Sequence, residues 1–168
     1  MNKIKYLITP FFILIVYSCT ATKGTVNSNK KILFYSDKLG FELAKGFNES
    51  LVKEVIGWLG TPYQYGGESK SGTDCSGFIQ QVYKTVYGIN TSRSANDIYL
   101  DCTKIKRETL KQGELVFFKI NTEKIGHVGI FLQDPYFIHA SSSKGVMVSS
   151  LELDYWTKYF ISGGKLKD

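Results

Sequence analysis

The sequence predicts an α+β fold, an antiparallel β-sheet packed against N-terminal helices on one of its sides. Two observations predict it. Apolar residues recur at helical spacing through residues 48–87, whereas the second half consists of short runs rich in Val, Ile, Phe and Tyr separated by turn residues. Helices do not alternate with those runs, which disfavours a doubly wound parallel sheet.

The elements follow in chain order. Lys3 and Lys5 form a positive n-region, and Leu7 to Tyr17 is an apolar stretch too short to span a bilayer comfortably. It ends in Val16-Tyr17-Ser18-Cys19, which resembles the bacterial lipobox. That resemblance implies a signal peptide over residues 1–18, acylation of Cys19 and a lipid anchor. Thr20, rather than an acidic residue, follows the cysteine and resembles the pattern sorted to the outer membrane. Residues 19–40 are expected to be a polar, basic tether without regular structure.

Leu51, Val52, Val55, Ile56 and Leu59 mark one face of a helix. Asn48 is its predicted N-cap, and Gly60-Thr61-Pro62 ends it. A polar loop leads to a second helix from about Cys75 to Tyr87, with Phe78, Ile79, Val82, Tyr83 and Val86 inward and Gly88 just beyond. A short helix is expected around Ser94 to Leu100. Strands are expected at Leu115–Ile120, His127–Leu132, Tyr136–Ala140, Val146–Ser149 and Lys158–Ser162. Gln133-Asp134-Pro135 and Ser143-Lys144-Gly145 supply turns between them.

Composition narrows the classes. The 168 residues, 43% hydrophobic and 14% aromatic, suffice for one core without disulfide staples. The formal charge of +6 comes without any long basic run or aromatic–basic interleaving, so no nucleic-acid partner is expected. An exported chain permits a Cys75–Cys102 disulfide, but the surroundings of Cys75 argue for a free thiol. Cys102 reads as a small apolar residue.

Cys75 stands where a loop enters an apolar helix, between Thr73-Asp74 and Ser76-Gly77. The positive end of the helix is expected to favour its thiolate, and the small neighbours leave room for a substrate carbonyl. The two histidines of the chain, His127 and His139, both lie in the strand-rich half. On strand periodicity His127 shares a face with Gly129, expected to leave open space beside the ring, and His139 shares one with Phe137. With Cys75 they suggest nucleophile, base and base-orienting group.

Four ordered motifs carry a wider resemblance. They are Gly60-Thr61-Pro62-Tyr63-Gln64-Tyr65-Gly66-Gly67 with Gly72-Thr73-Asp74-Cys75-Ser76-Gly77-Phe78, then residues 110–118, then Gly126-His127-Val128-Gly129-Ile130-Phe131, then Phe137-Ile138-His139-Ala140-Ser141. Together they resemble the NlpC-type cell-wall cysteine peptidases across about residues 51–162. The resemblance implies a papain-like domain over residues 41–168. It further implies hydrolysis of the γ-D-glutamyl–diamino acid bond of peptidoglycan stem peptides or muropeptides. Cys75 would be nucleophile, His127 general base and His139 the orienting residue. Tyr63, Asp74, Ser76 and Arg93 would contact substrate, although Thr91-Ser92-Arg93 lacks the proline usual before that arginine. No metal or organic cofactor is implied. The other classes to weigh are a non-catalytic wall-binding lipoprotein, and an amidase or acyltransferase on the same fold.

Overall fold

The computed structural model describes residues 23–167; the leader and Cys19 lie outside them. The tether expected over residues 19–40 is instead helical from Lys23, where α1 (Lys23–Leu39) begins. Its polar composition hides the reason, which is tertiary docking rather than local periodicity. Tyr35 and Leu39 are buried against the domain. Lys31 pairs with Glu49 at 2.8 Å, and Ser36 Oγ accepts from Leu43 N at 2.9 Å.

Helix α2 (Glu49–Ile56) starts where its cap predicts, with Asn48 Oδ1 accepting from Leu51 N at 3.1 Å. It buries Leu51, Val52 and Val55. A two-residue hairpin follows, β1 (Glu68–Ser69) against β2 (Gly72–Thr73). Helix α3 (Cys75–Tyr87) is capped by Asp74 and stopped by Gly88, whose φ of 69° lies in the left-handed region that glycine adopts without strain. Ser94 caps α4 (Ala95–Asp101).

The main sheet comprises β3 (Cys102–Ile105), β4 (Leu115–Phe118), β5 (His127–Gln133), β6 (Tyr136–Ser141), β7 (Gly145–Ser150) and β8 (Phe160–Leu166). Their order is β3-β8-β4-β5-β6-β7, antiparallel throughout. The strand expected to start at Lys158 begins at Phe160, because Lys158 and Tyr159 close a short helix, α5 (Asp154–Tyr159).

Strand alternation divides the core. Leu115, Phe117, Ile130 and Ile138 face α2 and α3 and pack with Leu51, Val55, Phe78 and Ile79. Complete burial of each such side chain contributes about 1.5–3 kcal/mol. Val116, Phe118, Phe131 and Phe137 face the other way, where α5 lays Trp156 over them. The α+β, papain-like architecture is therefore as expected, except that a helix also covers the second face. His127 and His139 stand on that second face, and Cys75 on the first.

Candidate active site

The backbone before α3 is held in two places. Gln64 N donates to Thr73 O and Thr73 N to Pro62 O, both at 3.0 Å, which sets Tyr63 alongside the residues leading to Cys75. Gly67 then crosses the start of the helix so closely that a Cβ on Gly77 would lie 2.2 Å from Gly67 O. Only glycine permits that approach.

Asp74 is the hub of this corner. Its Oδ1 accepts from Gly77 N at 2.7 Å and Ser76 Oγ at 3.1 Å, and its Oδ2 accepts from Gly66 N at 2.9 Å. Arg93 adds a two-pronged contact, Nη1 to Oδ1 and Nη2 to Oδ2, each 2.9 Å, and its Nη1 also reaches Ser76 Oγ at 2.9 Å. Glu68 takes the Arg93 Nε at 2.5 Å. Burial alone would raise the Asp74 carboxyl. Arg93 and the N–H groups of Gly77 and Gly66 outweigh it and hold the carboxyl below its ordinary value.

Cys75 is 8% exposed and opens onto a cleft of about 490 Å³ that Tyr63, Tyr65, Asp74, Ser76, Arg93 and Gly126 help to line. Backbone N–H groups of Val128, Ser76 and Cys75 itself favour its thiolate. Burial nevertheless pushes the thiol up to about 11, with the Asp74 charge adding to it. The thiolate expected from the helix start is thus not favoured at rest, because desolvation exceeds what the helix end returns. Tyr63 is raised as well, first by burial and then by Cys75.

Val128, whose backbone N–H favours the Cys75 thiolate, follows His127 directly. His127 Nε2 lies 2.9 Å from His139 Nδ1, so Nδ1 is the His127 nitrogen left to serve a thiol. His139 Nε2 continues to Ser149 Oγ at 3.0 Å. Trp156 stacks on His127 at 5.5 Å and 23°, and meets His139 edge-on at 4.7 Å. Phe137 stacks on His139 at 5.1 Å. Burial lowers His127 to about 4 and His139 to about 2, the latter also through His127. At rest the thiol and both imidazoles are neutral. The open space expected beside Gly129 is absent: a Cβ there would lie 2.8 Å from Phe137 Cδ2 and 2.9 Å from Ile138 O.

The structure thus gathers Tyr63, Asp74, Cys75, Ser76 and Arg93 at one cleft and joins His139 to His127, the residue after the cleft-lining Gly126. Arg93, despite the missing proline, is drawn in by Asp74. Cys19 lies outside the described residues. Cys102 is a buried free thiol in β3, and Cys75 is also free. Among the described residues no group of three or more His, Cys, Asp or Glu is placed to hold a metal, and no helix is long and apolar enough to cross a membrane. Sequence reasoning missed Ser149 and Trp156. Neither carries a local signal, since each meets the histidines only through strand register or the fold of α5.

A cleft-facing thiol at a helix start and a histidine pair on an antiparallel sheet are the parts from which a cysteine peptidase of papain-like fold is built. The chain belongs to the NlpC/P60 family, which it matches over residues 60–165. It is 42% identical over 116 residues to the probable endopeptidase NlpC of Escherichia coli, covering 68% of this chain and 73% of that one. A murein DD-endopeptidase/murein LD-carboxypeptidase of Escherichia coli is 34% identical over 110 residues, covering 66% of this chain and 58% of that protein. Among solved structures, the NlpC/p60 domain of the peptidoglycan hydrolase SagA superposes with a TM-score of 0.61 at 30% identity, covering 70% of this chain and 97% of that domain.

Proposed function

We propose that the protein is a peptidoglycan endopeptidase that hydrolyses the γ-D-glutamyl–diamino acid bond of stem peptides by a Cys-His-His mechanism. The observations that carry this reading are the 2.9 Å His127–His139 contact, which leaves His127 Nδ1 free, and a thiol that opens onto the cleft. As Cys75 Sγ attacks the γ-glutamyl carbonyl carbon, its proton passes to His127 Nδ1. The oxyanion forms near the N–H groups of Cys75 and Ser76, which the Asp74 cap leaves unused. His127 gives the proton to the leaving amine, and water then hydrolyses the thioester with His127 as base. Tyr63, Ser76 and the Asp74–Arg93 pair line the cleft where the stem peptide would lie. Acylation of Cys19 would anchor the enzyme in the cell envelope, on the periplasmic side of the outer membrane.

The names of the relatives support hydrolysis of wall peptides. The DD-endopeptidase among them makes cleavage between two D-centres the second reading for the bond. Muropeptides containing diaminopimelate or lysine, cross-linked and not, are incubated with the protein or with Cys75→Ala, and products are identified by mass spectrometry. Fragments ending at γ-D-glutamate, produced only by the unmodified protein, are the expected result. Separation of cross-linked dimers into intact monomers would establish the second reading instead. No change with any substrate would leave a wall-binding or acyl-transfer role.

A further inference from the structure

Two histidines in series do not by themselves decide where their protons sit. For His127 Nδ1 to accept a proton from Cys75, the neutral ring must carry its own proton on Nε2. That proton points at His139 Nδ1, 2.9 Å away, which must then be the bare nitrogen. His139 therefore carries its proton on Nε2 and needs an acceptor there. Ser149 Oγ, at 3.0 Å, is that acceptor. The opposite arrangement, with the Ser149 hydroxyl donating, moves every proton one place and leaves an N–H on His127 facing the thiol, which is no base at all.

Among the described residues Ser149 is the one hydrogen-bond partner of His139 Nε2. Phe137 covers one face and Trp156 meets the ring edge-on, while Ser149 is itself only 9% exposed. In the sheet, Ser149 sits opposite Phe137, one strand beyond His139 and diagonal to it. A buried ring N–H without an acceptor is costly, so removing the hydroxyl would drive His139 into the wrong tautomer. We propose that Ser149 is a positioning residue that fixes the proton order of the His127–His139 pair by accepting from His139 Nε2, and so keeps His127 Nδ1 free to act as base. This rests on the Cys75–His127 reading above. Of the titratable groups, His127 acts on His139, while Asp74 acts on Cys75. Strand β4 and α5 present Phe118 and Trp156 to His127.

The test follows alkylation of Cys75 by iodoacetamide in the full chain between about pH 5 and pH 10, with Cys75 and Cys102 peptides separated by mass spectrometry. Ser149→Ala should slow Cys75 alkylation at neutral pH by about tenfold, the effect of one buried hydrogen bond, and move its pH midpoint upward. Ser149→Thr, which keeps an acceptor oxygen, should restore both. Hydrolysis of muropeptides should fall in kcat with KM unchanged. Ser149→Ala behaving as the unmodified protein would overturn the proposal while leaving the Cys75–His127 reading intact. Ser149→Thr failing as badly as Ser149→Ala would also overturn it, since packing would then be the cause. If Cys75 in the unmodified protein reacts no faster than Cys102 at any pH, the base reading fails and the proposal with it.

Discussion

Acidification should destabilise this fold through its paired histidines, and by an amount that can be worked out. Both rings are held neutral by burial, His127 down to about 4 and His139 to about 2, from an ordinary value of 6.5. Folded values below the unfolded one mean that stability is fully present above pH 6.5. It is lost as pH falls below that value, because the unfolded chain takes up protons that the fold refuses. Each histidine costs up to about 1.4 kcal/mol per pH unit in that window. By about pH 5 the two together remove roughly 4 kcal/mol, a large share of the ~5–15 kcal/mol that holds a typical domain. Asp74 adds nothing in this range, since its contribution is lost only as pH falls below its ordinary 3.8. Urea midpoints followed by tryptophan fluorescence at pH 7, 6 and 5 would measure the loss in the unmodified protein and in His139→Gln. The glutamine does not titrate, so that variant should lose about half as much. Equal losses in the two proteins, or a loss below about 1 kcal/mol in the unmodified one, would refute the reasoning.

Three further outcomes are expected. Arg93→Lys keeps the charge but breaks the two-pronged contact to Asp74, and should raise KM for stem peptides by about tenfold with a smaller effect on kcat, read from steady-state kinetics. Gly129→Ala places a methyl 2.9 Å from the Ile138 carbonyl, which cannot swing aside as a side-chain end does; a loss of about 1–3 kcal/mol should appear in thermal or urea unfolding. Trp156→Ala uncovers the histidine pair to water, so besides costing about 2–4 kcal/mol it should move the acid limb of activity upward toward the ordinary histidine value. Trp156→Phe should restore most of both, and an unmoved acid limb in the alanine variant would show that Trp156 does not shield the pair.

Local chemistry made much of this architecture legible. Asn48, Asp74 and Ser94 each announce a helix start, because a short polar side chain before an apolar periodic run has one economical use. Gly88 announces an end for a related reason. Strands β4 to β7 show in their Val, Ile and Phe content. What stayed hidden depends on distant partners. Among the described side chains of α1 only Tyr35 and Leu39 are buried, too few to give a period. In β8 the run continues through Gly163 and Gly164, which look like a break but make room for Leu110, Phe117 and Cys102. The site divides in the same way. Cys75, His127 and His139 were visible as residue types in suggestive places, and the structure sets the two histidines in contact. The raised thiol was not foreseeable, because burial is a property of the assembled fold.

Helix α1 bears on how the cleft is presented. A flexible leash of seventeen residues would have an average span of about 23 Å but would sample everything from collapse to full extension. Helix α1 has that same number of residues, and as a helix it is about 26 Å long. The mean reach is nearly the same, yet the spread is almost gone. Its far end is clamped by Tyr35, Leu39 and the Lys31–Glu49 pair, so it acts as a strut with a set angle. The helix therefore carries its own N-terminal end at one set distance and bearing from the domain, so a tie made at Lys23 itself would let the cleft work at one depth rather than sweep a volume.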